Sequence, residues 1–279
     1  MKKLLVLLLC ALLCVPALAS SVPAAFVPVG QLCPLSPDAQ TDLDGDGEVD
    51  KVEYTVEYNE ETGSSPFRLV IGTSQLDGEG DDLTGQIWAY RPEGIDDVLL
   101  FLADRGMSDD DWSHVYSYYQ GEFRYLGGVG CMPEDLAVTA PNLLTGTARG
   151  SILHTWFRPA DYVIAANYEE PSYARRATAI CEMPRSEYPM GTVVTLRRDL
   201  DLQVSRTNSS HAYTLRAGEK AVIVSTDDIE WLYIVPLRPS YEFERTAGWL
   251  HTLIGGYSVS IDGDEIPTYD LFDGLFYAD

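Results

Sequence analysis

Short apolar segments, each closed by a turn signal, recur along almost the whole chain, and no stretch carries the period of a long amphipathic helix. The clearest case is Val52, Tyr54, Val56 and Tyr58, which alternate with Glu53, Thr55 and Glu57. A period of two predicts a strand with one buried face. Phe67 to Ile71 and Gln86 to Tyr90 predict further strands, and Val98 to Ala103, apolar at every position, predicts one covered on both faces. Val115 to Tyr119 and Phe123 to Leu126 flank Gln120-Gly121-Glu122, with Gly where a hairpin turn requires positive φ. From Gly191 the pattern condenses. Thr192 to Leu196, Leu202 to Ser205, Ala212 to Leu215, Ala221 to Val224, Trp231 to Val235 and Gly248 to Leu250 predict a small barrel. A strand at Tyr257 to Ile261, a turn at Asp262 to Asp264 and a short C-terminal helix over Pro267 to Tyr277 end the chain. The expected class is all-β with minor helix, a blade-like β domain followed by a small barrel.

The most specific chemistry lies just before the first of these strands. Asp42 to Glu53 reads Asp-Leu-Asp-Gly-Asp-Gly-Glu-Val-Asp-Lys-Val-Glu. Oxygen donors at the first, third, fifth and ninth positions, Gly at the sixth and an acid at the twelfth match the spacing that Ca2+ requires of an oxygen-ligand loop. Asp42, Asp44 and Asp46 supply side-chain oxygens, Glu48 its backbone carbonyl, and Asp50 a carboxylate, directly or through water. Glu53 occupies the twelfth position but falls on the polar side of the predicted strand, so it is either a ligand or a solvent-facing acid. An EF-hand loop leads into a helix; this one leads into a strand, which makes it an Asp-rich turn in a β context. Asp77-Gly-Glu-Gly-Asp-Asp82 repeats the acidic alternation with Asp82 where Gly is needed, and reads as a solvated turn.

Lys2 and Lys3, an apolar run from Leu4 to Val15 and the small-x-small site Ala17-Leu18-Ala19 predict a signal peptide over 1–19, and hence a secreted or extracytoplasmic protein. The apolar run is shorter than the roughly 20 residues of a spanning helix and no later segment approaches that length, so no transmembrane segment is expected. A Pro-rich arm over 20–38 leads into a calcium-loop β domain at 39–168. A connecting segment at 169–190, the barrel at 191–255 and a C-terminal hairpin and short helix at 256–279 follow. The formal charge of −24 excludes nucleic acid as a natural partner and favours divalent cations. Beyond the signal peptide stand Cys33, Cys131 and Cys181. An oxidising compartment allows one disulfide among them, with Cys131 to Cys181 the preferred pairing because Cys33 sits in the Pro-rich arm.

The Asp-x-Asp-Gly-Asp-Gly turn followed by a strand resembles the calcium turns of FG-GAP and VCBS-like propeller repeats. The stretch from Asp97 to Gly128, with Arg105 to Asp110 and then the hairpin from Val115 to Gly127, looks like the blade-type continuation found in secreted bacterial proteins of unknown function. Met190 to Leu250, with Thr226-Asp227 before Trp231 and a closing Gly248-Trp249-Leu250, resembles a bacterial SH3-like domain. That resemblance implies an aromatic surface for extended peptides or cell-wall material, formed by Trp231, Tyr233, Tyr241 and Trp249. For Trp231 and Trp249 taken individually, core packing is the favoured assignment. Catalytic motifs are absent: His114, His154, His211 and His251 are scattered without His-Glu-x-x-His spacing, and neither a Gly-x-Ser-x-Gly elbow nor a Gly-x-x-x-x-Gly-Lys loop occurs. The expected function is therefore a secreted, calcium-binding, non-enzymatic β protein that binds a cell-envelope or extracellular ligand. A cell-wall-active hydrolase and a purely structural accessory module are the alternatives.

Overall fold

The computed structural model describes residues 25–36, 41–43, 48–106, 110–150, 152–153, 157–183, 188–237, 247–253 and 256–275. The segment 1–19, expected to be a signal peptide, and Asp44, Asp46 and Tyr241 lie outside the described residues. Strands account for 66% of the described residues and helix for 3%, which makes the class all-β, as expected.

Three short segments come first: β1 (Ala25–Phe26), β2 (Leu32–Leu35) and β3 (Thr41–Asp42). Next is an antiparallel meander of β4 (Val52–Val56), β5 (Ser65–Ile71) and β6 (Ser74–Gly80). A second meander joins β7 (Leu83–Tyr90), β8 (Val98–Asp104), β9 (Trp112–Tyr119) and β10 (Glu122–Val129), with β2 on its β7 edge. The third holds β11 (Ala137–Ala140), β12 (Leu143–Arg149), β13 (Phe157–Glu169) and β14 (Ala174–Glu182). Within the second meander, Gln120 and Gly121 both take positive φ, the geometry of a tight hairpin turn that matches strand twist.

These meanders stack face to face around β8, whose residues are all buried. Val98, Leu100 and Leu102 join Phe67, Leu69 and Ile71 in one core. Leu99 and Phe101 join Leu144, Tyr162, Ile164 and Ile180 in the other. Two buried polar clusters bind the layers. Asp97, just before β8, accepts hydrogen bonds from Arg176 Nε at 2.9 Å and Ala177 N–H at 2.6 Å, tying the second sheet to the third. Asp104, which ends β8, accepts from the N–H groups of Asp81 and Asp82 at 2.9 and 2.6 Å, holding the turn that follows β6.

The fourth sheet has the order β17-β16-β20-β19-β18-β15-β23. Its strands are β15 (Tyr188–Leu196), β16 (Leu200–Ser205), β17 (Asn208–Leu215), β18 (Lys220–Thr226), β19 (Trp231–Pro236), β20 (Gly248–His251) and β23 (Phe272–Asp273). A hairpin of β21 (Ser258–Ile261) and β22 (Asp264–Pro267) and the single turn α1 (Thr268–Leu271) precede β23. Six of the seven strands are those the sequence pattern marks, and the expected barrel is a half-barrel: β17 and β23 remain as its edges. Ile152 and Leu153, from the connection between β12 and β13, are fully buried in this sheet's core beside Leu202, Ile223 and Ile234. Arg158 on β13 completes the junction by bonding Asp228 at 2.8 Å.

Four expectations are corrected. Residues 169–190 are more than a connector, because β14 lies within them and contributes Ala177 and Ile180 to the core; only residues 170–173 form the turn back from β13. The acidic stretch from Asp77 is strand rather than turn as far as Gly80. A Cβ on Gly78 would lie 2.6 Å from the Phe67 ring, so the glycine that weakens the strand signal is what lets Phe67 pack there. The Pro-rich arm is part of the fold, since β2 pairs with β7 and buries Leu35; Pro34 is accommodated on an edge strand. Finally, Cys33, Cys131 and Cys181 are all free thiols.

Candidate functional site: an aromatic face and an acidic loop

The acidic loop is closed at its base. β3 pairs in parallel with β1, and Thr41 faces Asp50 across an isolated antiparallel bridge. The Asp50 N–H donates to the Thr41 carbonyl at 2.8 Å, and the Leu43 N–H donates to Asp50 Oδ2 at 2.6 Å. Positions one and nine of the loop are thereby drawn together. Leu43 and Val52, buried in the first core, anchor the two ends. Asp42 is fully buried, a position in which a carboxylate must be compensated by donors or a cation. Glu48 is exposed, and Glu53 engages Lys51 on the solvent side of β4. The donor set is all oxygen, which suits a hard cation. Among the described residues no three His, Cys, Asp or Glu side chains gather as a metal-binding group; Asp44 and Asp46 belong to the loop's donor set and lie outside those residues.

The aromatic face is built by alternation on two neighbouring strands. On β19, Leu232 and Ile234 point into the core while Trp231 and Tyr233 face outward; on β20, Leu250 points in while Trp249 and His251 face outward. Antiparallel register places Trp231 opposite His251 and Tyr233 opposite Trp249. Their ring centroids are 4.6 and 5.1 Å apart, with tilted planes. All four residues are half-buried, so a ring edge or face stays open to solvent. Three of the four sequence-derived ligand residues therefore share one surface. The core-packing assignment of the tryptophans gives way to this outward one.

Neighbouring groups fix the rings. Asp227 Oδ1 accepts the N–H groups of Ile229, Glu230 and Trp231, each at 3.0 Å, and Thr226 Oγ1 donates to the Trp231 carbonyl at 2.8 Å. This is why Thr226 and Asp227 precede Trp231: they freeze the loop that delivers it. Trp231 Nε1 donates to Glu230 at 3.1 Å, and His251 Nε2 lies 3.3 Å from the other oxygen of the same carboxylate. The Arg206 guanidinium sits 4.4 Å from the centroid of the Trp249 ring and 3.4 Å from Asp227. Arg206, Glu230 and His251 escape a reading of the sequence because strand pairing assembles them. The one available signal is that His251 continues the period-two alternation begun by Trp249.

A second cluster brings together a histidine, a carboxylate and a serine. His114 Nε2 lies 3.0 Å from Asp104 Oδ2 on the wall of a cleft that includes Ser64, Glu79 and Trp112. Burial pushes the Asp104 carboxyl up, but the His114 bond and the N–H groups of Asp82 and Asp81 outweigh it, leaving the carboxyl below its ordinary value. The Ser64 hydroxyl is engaged with Thr62 at 2.8 Å. These contacts hold a turn in place; they do not set a nucleophile against a base. Cys131 is buried and its thiol is pushed up to about 12 by that burial, so it carries little thiolate at neutral pH. No family model, curated protein or solved structure matches this chain.

Proposed function

We propose that this chain is a non-enzymatic extracytoplasmic protein that binds a cell-envelope or extracellular ligand through the outer face of β19 and β20, acting in the manner of an SH3-like module. The observation that carries the reading is the sorting of side chains on those two strands. Leu232, Ile234 and Leu250 suffice for the core, and three large aromatic side chains are spent on the solvent side. Half-buried rings held by neighbouring contacts offer stacking area at low entropic cost, the usual make-up of binding hot spots. In a sedimentation assay with purified cell walls, the wild-type chain is expected to be retained. Trp231→Ala should weaken retention by roughly 30-fold, the value of a hot spot of about 2 kcal/mol. Equal retention of the variant removes this face from consideration.

The Asp42 loop is proposed to hold Ca2+ through Asp42, Asp44, Asp46, Glu48 and Asp50, with Glu53 as the twelfth-position acid. The closed base of the loop and the burial of Asp42 support this reading. Bound calcium would neutralise the loop's carboxylates, a structural role rather than a catalytic one. Extracellular calcium modules bind at roughly 10⁻⁴ to 10⁻³ M. At about 100 times Kd, binding adds roughly 2.7 kcal/mol to stability. Thermal melts in calcium and in chelator should therefore separate for the wild type and coincide for Asp44→Ala; equal shifts in both proteins would place the ion elsewhere.

A further inference from the structure

We propose that the aromatic face of the fourth sheet binds extended peptide segments bearing lysine or arginine, with the cations lying over the Trp231 and Tyr233 rings. The proposal rests on the reading of this face as a ligand surface and names the chemistry of the ligand.

The first observation is that the face already receives one guanidinium. Arg206 lies over Trp249, steered there by Asp227. A cation over an indole face is attracted by the ring quadrupole, most strongly for tryptophan. Trp249 thus carries a guanidinium from within the chain, whereas among the described residues no cation lies over Trp231 or Tyr233, each of which packs on its cross-strand ring and keeps part of its surface for an incoming group. Carboxylates flank them: Glu230 touches both Trp231 and His251, and Asp227 lies under the same loop.

Charge also selects against other ligands. His251 stands at once on the aromatic face and on the wall of a cleft of about 580 Å³, where Asp199, Asp201 and Asp262 outnumber Arg216. With a formal charge of −24 on the whole chain, the surface field concentrates cations and repels anionic polymers. A ligand running from the rings past His251 would move into increasingly acidic surroundings. The third observation is spacing. Trp231 and Tyr233 are alternate residues of one strand, so their rings are set about 7 Å apart along it. Alternate side chains of an extended peptide laid alongside repeat at the same interval, and two successive cations can each meet a ring.

The test uses the full chain and three labelled probes in fluorescence anisotropy. These are a peptide alternating Gly and Lys, the same peptide with every Lys acetylated, and a neutral N-acetylglucosamine oligomer. The Lys peptide is expected to bind and the acetylated one to lose that binding. Trp231→Leu and Tyr233→Leu, which keep apolar bulk but remove the ring, should each weaken the Lys peptide about two- to fivefold without altering the melting temperature. Binding that is unchanged in both variants would reflect diffuse charge attraction and overturn the proposal. Ring-dependent binding of the sugar oligomer but not of the Lys peptide would also overturn it, while leaving the ligand surface itself standing. Absence of ring-dependent binding with every probe would sink both.

Discussion

Removing either member of the Asp97–Arg176 pair is expected to lower unfolding free energy by about 3 to 5 kcal/mol, the range for stranding one charge of a buried pair. Asp97 is fully buried and the Arg176 side chain is only 5% exposed. Neither charge has water to fall back on. Arg176 also stacks on the Tyr119 ring at 4.3 Å and lies 3.6 Å from Glu169, which Arg124 in turn engages at 2.8 Å. Asp97→Asn and Arg176→Met, measured by chemical denaturation, should each show the loss. The double variant should cost less than the sum of the two, because it leaves no unpaired charge buried. Strict additivity would mean that the two side chains are not energetically coupled. Asp97 also receives the Ala177 N–H, so some cost must persist in every variant lacking its carboxylate.

Ile152→Ala is the second large effect, expected at about 2 to 5 kcal/mol for truncating a fully buried aliphatic side chain. Ile152 and Leu153 leave the third sheet and complete the core of the fourth, so their removal opens a cavity where the two units meet. The local backbone is demanding. Leu153 holds a φ of 72°, and its N–H donates to the Gly256 carbonyl at 3.0 Å. At Gly256, with φ of 70°, an added Cβ would lie 2.6 Å from the Ile152 Cα. Gly256→Val should therefore destabilise the same junction from the opposite side. Tryptophan fluorescence of Trp231 and Trp249 during denaturation reports on this unit. Unchanged midpoints in both variants would show that the plug is dispensable.

Which parts were legible in the sequence follows from how local the information was. The strands of the fourth sheet could be read because apolar runs of ordinary length are separated by turns, as at Gly218; Gly191 marks a register shift inside β15 instead. β8 could be read because six consecutive apolar residues admit few alternatives. β6 could not, since Gly78, Gly80 and Asp77 all disfavour strands and their reasons for being there lie elsewhere in the chain: Gly78 makes room for the Phe67 ring, Gly80 for Asp104 and Leu83, and Asp77 accepts from Arg68. β14 gives a weak strand pattern because Arg175 and Arg176 interrupt its apolar residues; the acceptor that lets Arg176 be buried is Asp97, far away in the chain. For the candidate site, Trp231, Tyr233 and Trp249 were visible as residue types. Their outward direction depended on which alternating set the core would take, and their polar neighbours depended on pairing between strands.

β8 raises a problem that its neighbours solve. Alternation normally sets strand register, since a slip by one residue would carry polar side chains into the core. A strand apolar on both sides lacks that safeguard: moving Leu99 and Phe101 to the places of Leu100 and Leu102 would exchange apolar for apolar. The two ends do what the middle cannot. Asp97 fits only opposite Arg176 and the Ala177 N–H, and Asp104 only opposite His114 and the turn at Asp81 and Asp82. A one-residue slip would pull both carboxylates off their partners at once. The buried acids bracketing β8 thus act as an address for the central strand, specifying a single alignment in a segment whose own side chains would accept two.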